Sequence, residues 1–364
     1  KIWDERYEQI REYEKYLHQN GIEVLKFFLH LSKEEQRARL LARIDESKKN
    51  WKFSSADIAE RGYWNEYQRT YEKAINETST KSAPWYIIPA DQKWFTRFLV
   101  SEILVKELEN RGITVHVLQD TLTPATPDSI FPNNWFSTHE GGLMVVYPMF
   151  AENRQAEIAK FRGTVEKIAE ESQKDEPFFT IIDYSKNRER NQILEGTGSI
   201  VIDRKNKVAY CTLSPRADKE MFDKWCKETG HTGVTFVSYQ EGKPIYHTNI
   251  VMGIGEKTAL VGLDAIDEKD RARVRESLEA GGNEIIELTM DQLKACAGNT
   301  LELKGKDGNF IAISKMAYDS LTKEQVEKIE KTTPILVADI NTIEFYGGGS
   351  VRCMMAEVFN PSNK

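Results

Sequence analysis

IVIDRKNKVAYCTLSPRADKEMFDKWCKETGHTGVTFVSY, residues 200–239, reads as strand, turn, strand, helix, strand. Two short apolar runs, 200–204 and 208–213, flank the polar turn Arg204–Lys207, a hairpin signal. Residues 216–229 read as a helix and 234–239 as a returning strand. The same order occurs upstream, where Trp135–Thr138 and Leu143–Tyr147 pair around Gly141-Gly142 before a helix at Ala151–Ser172 and a strand at Phe178–Asp183. Downstream it recurs at 248–253, 258–263, 267–280 and 284–288. A fourth copy spans 299–303, 309–313, a helix within 317–331, and 335–339. Four successive units of one design point to a radial array or solenoid, not a doubly wound sheet. The last run, Ser350–Val358, reads as a strand that needs a partner from elsewhere in the chain.

The first part has a different rhythm. Residues 4–20 read as an amphipathic helix and Ile22–Leu31 as an apolar strand. Ser32 and Glu35 have the spacing of a capping box opening a helix to about Ile44. A polar, lysine-bearing stretch, Asp45–Phe53, precedes a helix over Ser55–Glu77. A strand at Pro84–Pro89 and a helix from about Trp94 to Glu109 follow, stopped near Gly112.

The chain has 364 residues, 40% hydrophobic and 29% charged, with a formal charge of -7. That suggests two domains, or one large one with an appendage, and enough apolar material for sizeable cores. A negative surface disfavours nucleic acid as a partner, and no apolar run reaches membrane-spanning length. The opening residues show neither a secretory signal nor an initiator Met, an expectation of a piece of a longer product. Cys211, Cys226, Cys296 and Cys353 are scattered and form no metal-type pair. They read as cytoplasmic thiols.

Three loop-to-strand boundaries carry reactive groups: Leu194–Ser199 with Glu195, Tyr246–Asn249 with His247, and Gly347–Cys353 with Cys353. A thiol, an imidazole and a carboxylate are what nucleophilic attack on a planar carbon requires. Spacing leaves other readings open: Cys353 as a small buried hydrophobe, His247 as a structural histidine, Glu195 as a turn cap.

Residues from about 112 to 364 resemble the guanidino-group-modifying superfamily of arginine deiminases and amidinotransferases, nearest its citrulline-hydrolase-type branch. The resemblance rests on Asp128–Trp135, Tyr147-Pro148-Met149 with Asn153-Arg154, Leu194–Ser199, Ser214-Pro215-Arg216, His247-Thr248-Asn249 and Val351-Arg352-Cys353. It implies a five-bladed α/β propeller of ββαβ units with an axial active site. Cys353 would then be the nucleophile and His247 the general acid and base. Glu195 would grip substrate N–H groups. Asn133, Asn134 and Asn249 would line the substrate, and Arg216 is a candidate for its carboxylate or a solvated residue at a helix start. Relatives often carry an Asp where Asn133 and Asn134 stand, so a neutral ureido group suits this chain better than a guanidinium. Cys211, Cys226 and Cys296 read as structural. No cofactor or metal is implied.

Residues from about 1 to 108 look like the C-terminal portion of a polyphosphate kinase of the second family. Arg6–Ile10, Lys26–His30, Lys33–Gln36, Asn50–Phe53 and Ala83–Trp94 carry the likeness. It implies a helical lid whose Arg37, Arg43, Lys48, Lys49 and Lys52 face polyphosphate, or else a solvated charged helix. Phosphoryl transfer also needs a glycine loop and a Mg²⁺-holding acid, and no stretch matches G-x-x-x-x-G-K-[ST].

The expected fold is therefore an incomplete five-bladed α/β propeller over 109–364, lacking its first strand and loop. A partial P-loop-kinase-like α/β fragment over 1–108 precedes it. Strand 85–89, helix 94–109 and a strand at Ile113–Leu118 could stand in for the missing elements and partner Ser350–Val358. The leading function is cysteine-dependent hydrolysis of a C–N bond in a citrulline- or arginine-like amino acid. The alternatives are a nucleotide phosphotransferase using Mg²⁺ and polyphosphate, or a non-catalytic chimeric remnant.

Overall fold

The computed structural model describes residues 2–19, 24–45, 55–121, 123–172 and 180–359. The chain divides into two compact units, Lys1–Val115 and His116–Lys364.

The first unit runs α1 (Ile2–Gln19), β1 (Lys26–His30), α2 (Lys33–Asp45), α3 (Ser55–Arg61), α4 (Trp64–Thr78), β2 (Trp85–Pro89) and α5 (Lys93–Asn110). β1 and β2 pair in parallel, with Lys26 opposite Trp85 and His30 opposite Pro89. Glu14 of α1 is buried, and it is tolerated there because Lys26 reaches it at 2.7 Å and also bonds the Thr78 carbonyl. The helix expected over Ser55–Glu77 is two helices. The chain turns at Gly62 and Tyr63, whose N–H groups bond back to Ala59 and Glu60. After α5, Gly112 takes φ 79°, the left-handed stop its position demands. Ile113–Leu118 runs without sheet bonds among the described residues, so the strand expected there does not form. Ser32 caps α2 by accepting the Glu35 N–H at 3.1 Å.

The second unit is mixed α/β with small sheets. Its four three-stranded sheets are β3 (Phe136–His139), β4 (Leu143–Val146) and β5 (Thr180–Asp183); β6 (Val201–Asp203), β7 (Val208–Thr212) and β8 (Thr232–Phe236); β11 (Met252–Ile254), β12 (Thr258–Val261) and β13 (Glu284–Glu287); and β14 (Leu301–Gly305), β15 (Gly308–Ser314) and β16 (Ile335–Ala338). In each, the first two strands are antiparallel and the third returns parallel to the second. The returns pass through α6 (Glu152–Glu171), α8 (Lys219–Thr229), α10 (Glu268–Ala280), and the pair α12 (Lys315–Ser320) and α13 (Lys323–Glu330). A parallel return requires such a crossover. A minor hairpin, β9 (Tyr239–Gln240) with β10 (Lys243–Pro244), lies between the second and third sheets. The middle strands are almost wholly buried, which is why they read as continuous apolar runs.

α8 shows how local chemistry sets one unit. Asp218 accepts the Met221 N–H at 2.9 Å at its start, and Gly230 closes it at φ 73°. Met221, Phe222 and Trp225 then pack with Tyr147, Leu194 and Cys211. The short first strands of neighbouring sheets touch: β6 lies against β11, and β11 against β14.

Ser350–Val358 is not a strand. α14 (Asn341–Gly347) ends at Gly348 with φ 69°, and residues 351–354 form a turn in which the Cys353 N–H bonds the Ser350 carbonyl at 3.0 Å. Side chains hold the tail instead of a ladder. Thr138 of β3 donates to the Glu357 carbonyl at 2.7 Å and accepts the Phe359 N–H at 3.0 Å. The Glu357 carboxylate lies 2.9 Å from Arg352 and 3.4 Å from Arg204. The strand 85–89 therefore has β1, not this segment, as its sheet partner.

His139 at the end of β3 is buried, with Nε2 at 2.9 Å from Ser137 Oγ. Burial, with Arg204 and His231 nearby, pushes it down to about 3, from 6.5. The unfolded chain takes up this proton below 6.5 and the native one does not. Stability is thus full above the unfolded value and lost as pH falls, by up to about 1.4 kcal/mol per pH unit for one proton. His139→Gln should flatten this loss between pH 7 and 5, read from urea midpoints followed by hydrogen exchange of β3 and β4. An unchanged slope would contradict it.

Candidate active site

A short turn precedes the first strand of each sheet, and the candidate residues sit on these turns. The 3-10 turn Pro132–Asn134 leads into β3. The four-residue helix α7 (Gly196–Ser199), with Glu195 as its N-cap, leads into β6. Another, α9 (Thr248–Val251), with His247 as its N-cap, leads into β11. The strand expected from residue 248 thus begins only at Met252. α11 (Met290–Lys294) and the loop ending at Asn299-Thr300 lead into β14. The 351–354 turn carries Cys353.

Gly198 explains how closely two of these turns approach. A Cβ there would lie 2.3 Å from Asn134 Nδ2 and 3.0 Å from His247 Nδ1. Gly196, at φ 41°, has equally little room, 2.4 Å to the Asn133 carbonyl.

Glu195 is fully buried, at 0% exposure. It accepts from His247 Nε2 at 2.7 Å, the Phe150 N–H at 2.9 Å and Arg216 Nη1 at 3.2 Å. Burial works to raise its carboxyl, but the His247 hydrogen bond, the Arg216 charge and the Phe150 N–H hold it down at about 2. His247 is pushed below its ordinary value by burial, an effect the Glu195 carboxylate opposes only in part. The pair is therefore an ionised carboxylate facing a neutral imidazole near pH 7.

Cys353 is 7% exposed. Its Sγ accepts from Asn249 Nδ2 and from Asn299 Nδ2, both at 3.3 Å. Asn249 lies two residues beyond His247, so one short helix bears both the imidazole and an amide on the thiol. Asn299 has no counterpart in the sequence reading. Its position just before the fourth sheet, matching Glu195 and His247, is the signal that could have found it.

Asn133 and Asn134 are buried beside α7. Neither amide atom of the Asn133 side chain, nor Asn134 Nδ2, nor Asn249 Oδ1 has a protein partner. Buried polar atoms left open in this way fit a ligand's donors and acceptors. Asn134 Oδ1 is fixed by Arg154 Nη1 at 2.6 Å. Arg216 is 30% exposed at its side chain, lies over the Tyr246 ring at 4.7 Å, and spends Nη1 on Glu195. Cys211 and Cys226 belong to the core, where burial raises Cys211 and pushes Cys226 up to about 12. Cys296 interacts electrostatically with Cys353 and Glu344, which places it beside the site.

In the first unit, Arg37 is exposed on α2, while Arg43 is engaged with Asp57 of α3 at 3.0 Å. Lys48, Lys49 and Lys52 lie outside the described residues. Among the described residues, no cluster of three or more His, Cys, Asp or Glu could hold a metal, and no helix is long and apolar enough to cross a membrane.

Arg154 also bonds the Phe131 carbonyl and forms a buried pair with Glu157 at 2.8 Å, clamping 128–134 to α6. Removing one partner strands the other charge. Arg154→Ala should cost roughly 3–5 kcal/mol in urea unfolding of the second unit, by the usual size of a broken buried pair. Adding Glu157→Gln should recover part of that, and a double variant no better than the single would refute the stranded-charge account.

Comparison with known proteins separates the chain in two. Residues 100–360 match the family model of N,N dimethylarginine dimethylhydrolase, eukaryotic. Residues 1–115 match that of polyphosphate kinase 2, so the kinase-like segment is the amino-terminal part of this chain. An uncharacterized protein in the chlN 3' region of Leptolyngbya boryana is 58% identical over 109 residues, 30% of this chain and 80% of that protein. An ADP-polyphosphate phosphotransferase of Rhodopseudomonas palustris is 54% identical over 109 residues, 30% of this chain and 38% of that enzyme. The chain spans 40% of the length of a similar AMP/ADP-polyphosphate phosphotransferase of Meiothermus ruber. Among solved structures, the product-bound N-terminal domain of ArgZ, an arginine dihydrolase from the ornithine-ammonia cycle in cyanobacteria, superposes with a TM-score of 0.57 at 16% identity. It covers 74% of this chain and 88% of that one. Unliganded AgrE gives 0.56 at 16%, over 72% of this chain and 35% of that one. At this identity the likeness is one of fold.

Proposed function

Because the chain belongs to the N,N dimethylarginine dimethylhydrolase family over residues 100–360, a family of hydrolases acting on non-peptide C–N bonds, we propose that it hydrolyses a C–N bond of a guanidino or ureido amino acid. An arginine- or citrulline-like molecule is the substrate class, with Cys353 as nucleophile. The observation that carries this reading is the buried Glu195–His247 pair, 2.7 Å apart, with the Cys353 thiol bound by Asn249 of the same short helix.

The Cys353 proton passes to the neutral His247, giving an imidazolium beside the Glu195 carboxylate, and the sulfur, as thiolate, attacks the central planar carbon and forms a C–S bond. His247 delivers a proton to the departing nitrogen, the C–N bond breaks, and an amine or ammonia leaves. The imidazole then takes a proton from water as that water attacks the same carbon. The C–S bond breaks, the oxygen stays with the product, and the thiolate returns. Glu195 keeps the imidazole in orientation and offers charge-assisted acceptance to substrate N–H groups. The open amides of Asn133, Asn134 and Asn249 supply neutral donors and acceptors, which suits a ureido group. The exposed part of Arg216 faces a substrate carboxylate. No cofactor enters this cycle.

The finer architecture we propose is an incomplete five-bladed propeller around this site, residues 109–364 after a kinase-like 1–108. Contacts between β6, β11 and β14 support it, and the two family matches overlap at 100–115, where the segments join. A reducing, cytoplasmic setting accords with four unpaired cysteines. A second reading, polyphosphate-dependent phosphoryl transfer with Mg²⁺, is favoured by the 54% identity to a kinase, but the chain carries no G-x-x-x-x-G-K-[ST] stretch.

Ammonia or amine release from citrulline, arginine, succinylarginine and dimethylarginine tests the proposal. One of these should turn over without Mg²⁺, Cys353→Ala should abolish it, and His247→Ala should lower kcat by about 10²–10⁴-fold. A folded protein that releases nothing from any of them, or Mg²⁺-dependent ADP phosphorylation by polyphosphate in its place, would remove the hydrolase reading.

A further inference from the structure

We propose that Asn299, together with Asn249, forms an amide cradle that holds the Cys353 sulfur in its anionic form, making Asn299 a positioning residue for the reaction. This rests on the reading of Cys353 as nucleophile.

The argument starts from which end of the amide faces the sulfur. Asn299 is buried, and its Oδ1 accepts the Arg352 N–H at 2.9 Å. Its Nδ2 donates to the Asn249 carbonyl at 3.2 Å and to Cys353 Sγ at 3.3 Å. Turning the amide over would set an NH₂ against an N–H and an oxygen against a carbonyl. The network therefore fixes the donor end on the sulfur. A thiol wants an acceptor for its proton, as Cys211 finds in the Thr212 carbonyl at 3.9 Å. Cys353 is met by two N–H donors, the pattern that suits a thiolate.

The loop around Asn299 is built to hold this pose. Cys296, a non-glycine residue at φ 63°, reverses the chain, and its carbonyl accepts the Asn299 N–H at 2.9 Å. A Cβ on Gly298 would lie 2.7 Å from the Ile250 carbonyl and 3.1 Å from the Met252 nitrogen. The loop is thus pressed onto the helix that carries Asn249. One carboxamide joins the nucleophile's own backbone, its sulfur and the turn bearing the imidazole. The titratable groups that interact with Cys353 include Arg352, Tyr246 and Cys296, and all three are unchanged in the variants below.

Asn299→Asp reverses the polarity that faces the sulfur, and Asn299→Ala, which adds no charge, separates cradle from scaffold. Asn299→Asp keeps an oxygen for the Arg352 N–H but puts a second carboxylate oxygen, in place of the donor, against the sulfur. The rate of Cys353 alkylation by iodoacetamide, followed by peptide mass spectrometry across pH, should shift its midpoint up by about one unit or more. That makes reaction about 10-fold slower below both midpoints. On the substrate found for the intact chain, kcat should fall with KM little changed. A midpoint equal to that of the unsubstituted protein overturns the proposal. If Asn299→Asp does not fold, Asn299→Ala serves: the midpoint should again rise. Faster hydrogen exchange at 350–354 with no change in the alkylation midpoint would reduce Asn299 to a structural role and sink the cradle. Alkylation needs no turnover, so an inactive chain would refute the hydrolase reading while this result is still read.

Discussion

A carboxylate cut off from water must find its counter-charge and hydrogen bonds inside the protein, and the second unit depends on how Glu195 does so. It takes the Phe150 N–H, the guanidinium of Arg216 and the imidazole of His247 from three separate segments. A lone buried charge costs several kcal/mol, and that cost falls only when every partner is in place. The segments after β4, before α8 and before β11 are thereby tied to a single point. The same requirement orders Arg154 and Glu157 one layer out, and through Arg154 the loop that presents Asn133 and Asn134.

The unit reaches this with one device used repeatedly. A short turn precedes the first strand of each sheet and carries a polar side chain, at its start in Glu195 and His247 and at its end in Asn134 and Asn299. At the first sheet it carries amides, at the second a carboxylate, at the third an imidazole and an amide, at the fourth another amide. Glycines at 196, 198 and 298 let the turns approach to distances no Cβ would allow. Chemistry varies from turn to turn, while the support beneath it does not.

Much of this is legible in the sequence because it is local. The hairpin over Arg204–Lys207, the cap and stop of α8, and the recurrence of one strand order all arise from neighbouring residues. What escapes is set by distant partners. Ser350–Val358 reads as a strand, yet its nitrogen at Arg352 is taken by Asn299 and its tail by Thr138, so no ladder forms. Asn299 itself, between Gly298 and Thr300, reads like any turn residue, and its role appears only once Cys353 lies against it. Arg43, expected to face phosphate, is paired with Asp57, a carboxylate the spacing did not bring to notice.

Thr138 grips the tail across 219 residues, and this long tether gives the site a history. In synthesis the carboxylate at 195 and the imidazole at 247 emerge before the sulfur at 353. The turn bearing Cys353 lies beyond both in chain order and is held by Asn299, while Thr138 and Arg204 hold the tail that follows it. The position of the Cys353 turn is thus set by contacts to Asn299 and, through the tail, to Thr138 and Arg204.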